Sequence, residues 1–190
     1  MRELVYYVAA SLDGYIAGPD GQFDAFPVTG DHIAFQAAAY ADTLPTAAAE
    51  HLGVPQTRSR FATVLMCWNT YAVGLDQGVD SPYRHLEQIV FSRRRTGTAE
   101  NLVVTDRDPV ATVRALKEQP GADIWLCGGG ELAAQLVGEI DRLVVKRNPL
   151  LLGDGIPLFG RTAYAPVALD LVASRTFESG VVVAEHARRR

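Results

Sequence analysis

The most chemically suggestive residues in this sequence are three glycines at the end of an apolar run. In Ile124-Trp125-Leu126-Cys127-Gly128-Gly129-Gly130-Glu131-Leu132, a strand pattern empties into glycine and then into a helix pattern. Glycines in that place let a diphosphate approach the backbone, and the free N–H groups at the helix start hold its charge. The run is neither GxGxxG nor a Walker A sequence, and its alternative reading is a tight strand-to-helix turn with no ligand. A second feature is Phe91-Ser92-Arg93-Arg94-Arg95, again directly after a strand pattern. A hydroxyl and consecutive guanidinium groups suit a phosphate monoester, such as the 2′-phosphate that separates NADPH from NADH. A solvated arginine loop is the commoner meaning of such a run. Third come the acids Asp13, Asp24 and Asp31, in or beside the first long connection. A carboxylate at a helix start can clamp the amidine-like edge of a heterocycle and help protonate it. Asp31 fits equally as a helix N-cap.

Other chemistries find no footing. His32, His51, His85 and His186 show neither HExxH nor a paired spacing with cysteine, so no metal is expected. A GxSxG nucleophile elbow is absent. Cys67 and Cys127 stand far apart without a CxxC, which argues against a disulfide scaffold and for a reducing, cytoplasmic compartment. A formal net charge of −4 gives no global pull toward nucleic acid or anionic membrane. No apolar run approaches the roughly 20 residues of a membrane helix, and Met1 to Val8 reads as a strand rather than a signal peptide.

These residues need a scaffold, and 190 residues with 48% hydrophobic content supply one core and one domain, residues 1–190. Strands are predicted over 3–10, 15–17, 61–66, 88–92, 101–105, 123–127 and 141–146. Helices are predicted from Asp31 through Ala39 to a stop at Leu44-Pro45, over 47–52 and 68–75, from the opening Asp106-Arg107-Asp108-Pro109 through Leu116 to a stop at Pro120-Gly121, and over 131–137. Segments 168–177 and 181–186, separated by Glu178-Ser179-Gly180, read as a closing hairpin. Helices alternating with apolar strands, then a hairpin, indicate a three-layer α/β/α domain with a mainly parallel sheet and an antiparallel edge.

Taken in chain order, five segments resemble the dihydrofolate-reductase-like superfamily. They are Ser11 to Gly21, Val64 to Tyr71, Val90 to Arg93, Gly128 to Leu132, and Asn148 to Phe159. The closest resemblance is to stand-alone bacterial proteins similar to the reductase domain of the bifunctional riboflavin-biosynthesis deaminase-reductase. That resemblance implies NADPH lying across the C-terminal ends of the central strands. Ala9, Ala10 and Ile16 would line the nicotinamide pocket. Asn69 and Thr70 would meet the diphosphate from one side, and Gly128, Gly129, Gly130, Glu131 and Leu132 from the other. Ser92 and Arg93 would take the 2′-phosphate. Asp31 and Phe35, with Asp24 nearby, would face the substrate, Asp31 aiding its protonation. The resemblance further implies a cis Gly128–Gly129 peptide bond and a homodimer, with Cys67 and Cys127 on neighbouring strand ends facing the cleft. The deaminase's zinc signature is absent, so riboflavin synthesis is read as a relative's function.

One departure weakens the match. Where the family usually carries a Gly-Arg pair after the second strand, this chain has Cys67-Trp68. The sequence therefore supports two readings. One is an NADPH-dependent reductase acting on a small heterocycle or carbonyl compound. The other is a non-catalytic nucleotide- or small-molecule-binding protein on the same fold, with a degraded cofactor site.

Overall fold

The structure, a computed structural model, describes residues 1–189. Apolar runs at the predicted places form β1 (Leu4–Ala10), β2 (Tyr15–Ala17), β3 (Phe61–Cys67), β4 (Glu87–Phe91), β6 (Leu102–Thr105), β7 (Asp123–Gly128) and β8 (Arg142–Arg147). Two short strands, β5 (Gly97–Ala99) and β9 (Ile156–Pro157), were not legible in the sequence. The closing hairpin is β10 (Leu169–Thr176) and β11 (Val182–Arg188). Helices are α1 (Asp31–Ala39), α2 (Thr46–Leu52), α3 (Trp68–Asp76), α4 (Pro109–Glu118) and α5 (Gly130–Gln135). The first ends at Ala39, short of the expected stop at Leu44-Pro45, because Tyr40 leaves the helical conformation and a single tighter turn over Ala41–Thr43 follows.

Asp108 starts α4 as expected of an N-cap, its carboxylate accepting the Ala111 N–H at 2.7 Å with Pro109 behind it. Asp31 does not cap α1. It is the first helical residue, Gly30 holds the cap position, and no side chain bonds there.

Nine strands make one sheet in the order β10-β11-β8-β1-β7-β3-β4-β6-β5. The six from β8 to β6 run parallel, while β5 at one edge and the hairpin at the other run antiparallel. Antiparallel strands thus close both edges, not one. A separate ribbon pairs β2 with β9.

Strand alternation gives the sheet two apolar faces. Val5, Tyr7, Met66, Trp125 and Val144 pack beneath Phe35 and Tyr71, from α1 and α3. On the reverse face, Leu4, Tyr6, Leu65 and Leu126 pack against Val113 of α4 and Leu132 and Leu136 from α5 onward. This is the predicted three-layer α/β/α arrangement. Its consequence for function is positional: the C-terminal ends of β1, β7, β3 and β4 lie side by side, where the glycine and arginine runs begin.

Candidate functional site

At the centre of that strand-end row, β7 delivers Gly128 and Gly129 opposite the start of α3. The Gly128–Gly129 bond is cis, as the resemblance implies, and Gly128 has φ 151°, a value that side-chain-bearing residues rarely adopt. A Cβ on Gly128 would lie 3.5 Å from Thr70 Oγ1, and one on Gly129 the same distance from Cys67 Sγ. Cys67 Sγ and Thr70 Oγ1 are themselves 3.3 Å apart. Backbone, hydroxyl and thiol thus converge in a cradle that side chains at 128 and 129 would begin to fill. This fits a ligand approaching the backbone of the turn, as a diphosphate would.

Gly130 has a different reason to be glycine. A Cβ there would run into the carbonyl oxygen of Pro157, and the Gly160 N–H donates to the Gly130 carbonyl at 2.9 Å. Glu131 is exposed, and Leu132 is buried in the core, so Leu132 can offer a ligand only its backbone.

Ala9 and Ala10 end β1 on opposite faces. Ala10 is buried, and its carbonyl accepts both the backbone N–H and the Nδ2–H of Asn148, at 2.8 and 3.2 Å. Ile16 packs on the α5 side with Leu158 and Phe159. Asp13 is a tie between loops: its carboxylate accepts from the N–H groups of Leu152 and Gly153. The Ser11 hydroxyl, with these backbone donors, outweighs the opposing desolvation and holds the Asp13 carboxyl below its usual range. The Ser11 and Asn148 motifs therefore fasten the segments that follow β1 and β8 to each other.

Toward the β5 edge, Ser92 Oγ accepts the N–H groups of Arg94 and Arg95, at 3.3 and 3.1 Å, which shapes the arginine turn. Arg93, Arg94 and Arg95 are exposed, and among the described residues none of them pairs with an acid. The Arg95 guanidinium lies 4.1 Å from the centroid of the Trp68 ring. Together with Tyr71, Arg94 and Thr96, these two residues line a cavity of about 530 Å³ beside the strand ends. Asn69 is exposed on the first turn of α3, and Thr70 is half-buried.

The expected substrate residues come together only in part. The Asp31 carboxylate accepts N–H bonds from Glu178 and Ser179 in the β10–β11 turn, at 2.8 and 3.2 Å. Burial works against its ionisation, but those donors prevail and hold its carboxyl below the usual range. A carboxylate so engaged anchors the hairpin and is a poor proton donor. Phe35 packs with Phe177 and Tyr40, ring centroids 5.3 and 5.9 Å apart. Asp24 is exposed in the long connection before α1.

Cys67 and Cys127 do end neighbouring strands, but they pack against opposite core clusters, because successive residues of a strand point to opposite faces. Burial pushes the Cys127 thiol up to about 12, so it is no nucleophile at neutral pH.

Lys146 is the residue that sequence reading passed over. It pairs with Ala9 across β8 and β1, and its Nζ reaches Gln36 Oε1 of α1 at 3.5 Å. Its only signal in the sequence is a lysine two residues after a core valine in an apolar strand.

A larger cavity, about 640 Å³, opens at the opposite ends of the strands among Glu3, Arg60, Asp123, Arg142 and Glu185. Its charges satisfy one another: Arg142 pairs with Glu3 and Glu185, and Arg60 with Glu185 at 3.7 Å. The smaller cavity is the better fit for an anionic ligand, because among the described residues its arginines are uncompensated. Among the described residues no cluster of His, Cys, Asp and Glu could hold a metal ion, and no helix is long and apolar enough to cross a membrane.

Residues 2–183 match the family described as the RibD C-terminal domain. The uncharacterized protein YyaP of Bacillus subtilis (strain 168) is 26% identical over 195 residues, covering 95% of this chain and 92% of YyaP. Its companion from the same strain, the uncharacterized protein YwjB, is 30% identical over 164 residues and 83% of each chain. Among solved structures, a Shewanella sp. PV-4 protein assigned to riboflavin biosynthesis superposes over 100% of both chains with a TM-score of 0.70 and 23% identity. The Thermotoga maritima diaminohydroxyphosphoribosylaminopyrimidine deaminase/5-amino-6-(5-phosphoribosylamino)uracil reductase matches 99% of this chain but only 57% of its own length, with a TM-score of 0.65 and 15% identity.

Proposed function

This chain belongs to the RibD C-terminal domain family, and from that premise we propose that it is an NADPH-dependent reductase of the cytoplasm. It works as a homodimer and transfers hydride to a flat heterocycle or small carbonyl compound. The observation that carries this reading is the cradle where Gly128 and Gly129 meet Thr70 and Cys67, with the unpaired arginines of the adjoining strand end beside it.

Bound there, NADPH supplies hydride to an electrophilic carbon. The chain's own residues bind and orient. Backbone N–H groups from Gly130 to Leu132, with Thr70 and Asn69, take the diphosphate. Ser92 and Arg93 take the 2′-phosphate, joined by Arg95. The end of β1 would line the nicotinamide pocket, with Ala9 on the α1 face and Ala10 and Ile16 on the α5 side. Phe35 and Asp24 border the substrate side. The proton comes from water, since Asp31 is held ionised by the hairpin turn.

Titrating the protein with NADPH while following Trp68 and Trp125 fluorescence tests this. Micromolar binding, with NADH weaker, is expected. Absence of NADPH binding at millimolar concentration, recovered strongly by a Cys67→Gly, Trp68→Arg double substitution, would show a reductase fold that has lost its cofactor. The non-catalytic reading would then replace this one.

A further inference from the structure

We propose that Lys146, positioned with Gln36, is an anion-receiving subsite beside Ala9, so that the compound reduced here carries a carboxylate or phosphate oxygen. The assignment rests on the reading of the adjoining strand ends as the reaction site.

The argument starts from the sheet. Lys146 follows Val144 by two residues in β8 and therefore projects to the face covered by α1, where Val144 joins the core. On that face one cross-strand row runs Arg175, Val183, Lys146, Ala9. A half-buried ammonium in such a row costs solvation and is normally paired. Here it is not. Among the described residues no carboxylate lies in salt-bridge range of Lys146.

The acids around it are already taken. Glu185, in the next row, binds Arg142 and Arg60. Asp31, at the head of α1, accepts from the backbone of the 178–179 turn. The other cation of the row, Arg175, has its guanidinium 5.0 Å from the Phe35 ring and 5.5 Å from Phe177, which holds it on the same face. Three ammonium protons thus have one long contact, to the Gln36 amide oxygen at 3.5 Å. Burial lowers the Lys146 pKa from its ordinary value, which is the direction expected of an ammonium without a counter-ion. An anionic oxygen of the substrate completes the set. Lys146 is then positioned to orient the substrate against the nicotinamide side of the cleft.

Calorimetric titration compares ribose 5-phosphate with ribose, and orotate with uracil, against wild type, Lys146→Met, Lys146→Gln and Lys146→Arg. NADPH binding is followed in parallel by tryptophan fluorescence. At least one anionic probe is expected to bind while its neutral twin does not. Lys146→Met and Lys146→Gln should weaken that binding roughly tenfold or more, as for loss of a charge-assisted contact, whereas Lys146→Arg should largely keep it. Lys146→Met should also melt no lower than wild type, because it removes an uncompensated charge and keeps the apolar stem; a merely structural lysine would lose stability instead.

Equal binding of an anion by wild type and both neutral variants, or failure of the wild type to bind either anion, overturns the subsite. If Lys146→Met does not fold, Lys146→Gln carries the comparison. NADPH binding that persists while the anion result fails sinks only the subsite. Loss of NADPH binding with intact, Lys146-dependent anion binding sinks the reductase reading instead.

Discussion

Arg95 changes the meaning of the Cys67-Trp68 departure. No arginine follows β3, yet a guanidinium sits 4.1 Å from the Trp68 centroid, delivered from the loop after the neighbouring strand β4. A cation over an indole is worth about 0.5–1 kcal/mol at an exposed site, enough to bias the arginine toward the cleft. Arg95→Ala should therefore weaken NADPH binding about tenfold to a hundredfold, the loss of one charge-assisted hydrogen bond, and leave NADH binding nearly unchanged. Restoring the pair through Cys67→Gly and Trp68→Arg should tighten NADPH only modestly, since the charge is already present. Fluorescence titration of both nucleotides checks each outcome. Asp31 supports a separate expectation. Its folded-state carboxyl lies below its ordinary range, so its contribution to stability is complete above about pH 4 and fades as pH falls through the lowered value. Asp31→Asn should thus lower the melting temperature at neutral pH, lose that deficit in acid, and leave the reduction rate within a few-fold. A collapse of the rate with unchanged stability would restore Asp31 as the proton donor.

The glycine run shows how far sequence reaches at the scale of elements. Its strand-turn-helix context was legible because an apolar run ended in residues free of Cβ constraints. What could not be read was that the three glycines serve two ends. Gly128 and Gly129 open the cradle, while Gly130 clears the Pro157 carbonyl, a neighbour far along the chain. Gly130→Ala should displace the 157–160 segment from the start of α5, lowering both stability and NADPH affinity. Gly129→Ala should lower affinity with a smaller stability loss. Thermal melts and nucleotide titration on the two variants separate the roles. The strands that escaped notice, β5 and β9, are three and two residues long and carry no periodicity of their own; they exist because β6 and β2 offer partners. Lys146 escaped for a related reason: a lone lysine in an apolar strand looks like a solvated edge until the register sets it beside Ala9. By contrast, α4 was predictable to its cap, and Asp108→Ala should cost about 0.5–2 kcal/mol in urea unfolding.

For the molecule as a whole, the two edges of the sheet are managed differently. At one side the short β5 ends the ladder after three residues, which limits the unpaired backbone it presents. The other edge is β10, eight residues long and almost wholly exposed, with Leu171 61% and Val172 52% accessible. Its neighbouring segment adds Val167 and Tyr164, the latter 97% accessible. An edge left open in this way invites pairing; a bulge between Leu171 and Ala173 and the charges of Asp170 and Arg175 protect it only in part. A second copy of the chain meeting this edge would cover it, and the Asp31 bond to the hairpin turn would then tie the dimer surface to α1 and the substrate side of the cleft. Light scattering at micromolar concentration should give twice the chain mass. Placing acids on the edge by Leu171→Glu with Val172→Glu should yield monomers, because like charges would face each other across the two-fold axis. If the wild type is itself monomeric at that concentration, β10 is not a dimer edge, and its apolar residues need another explanation.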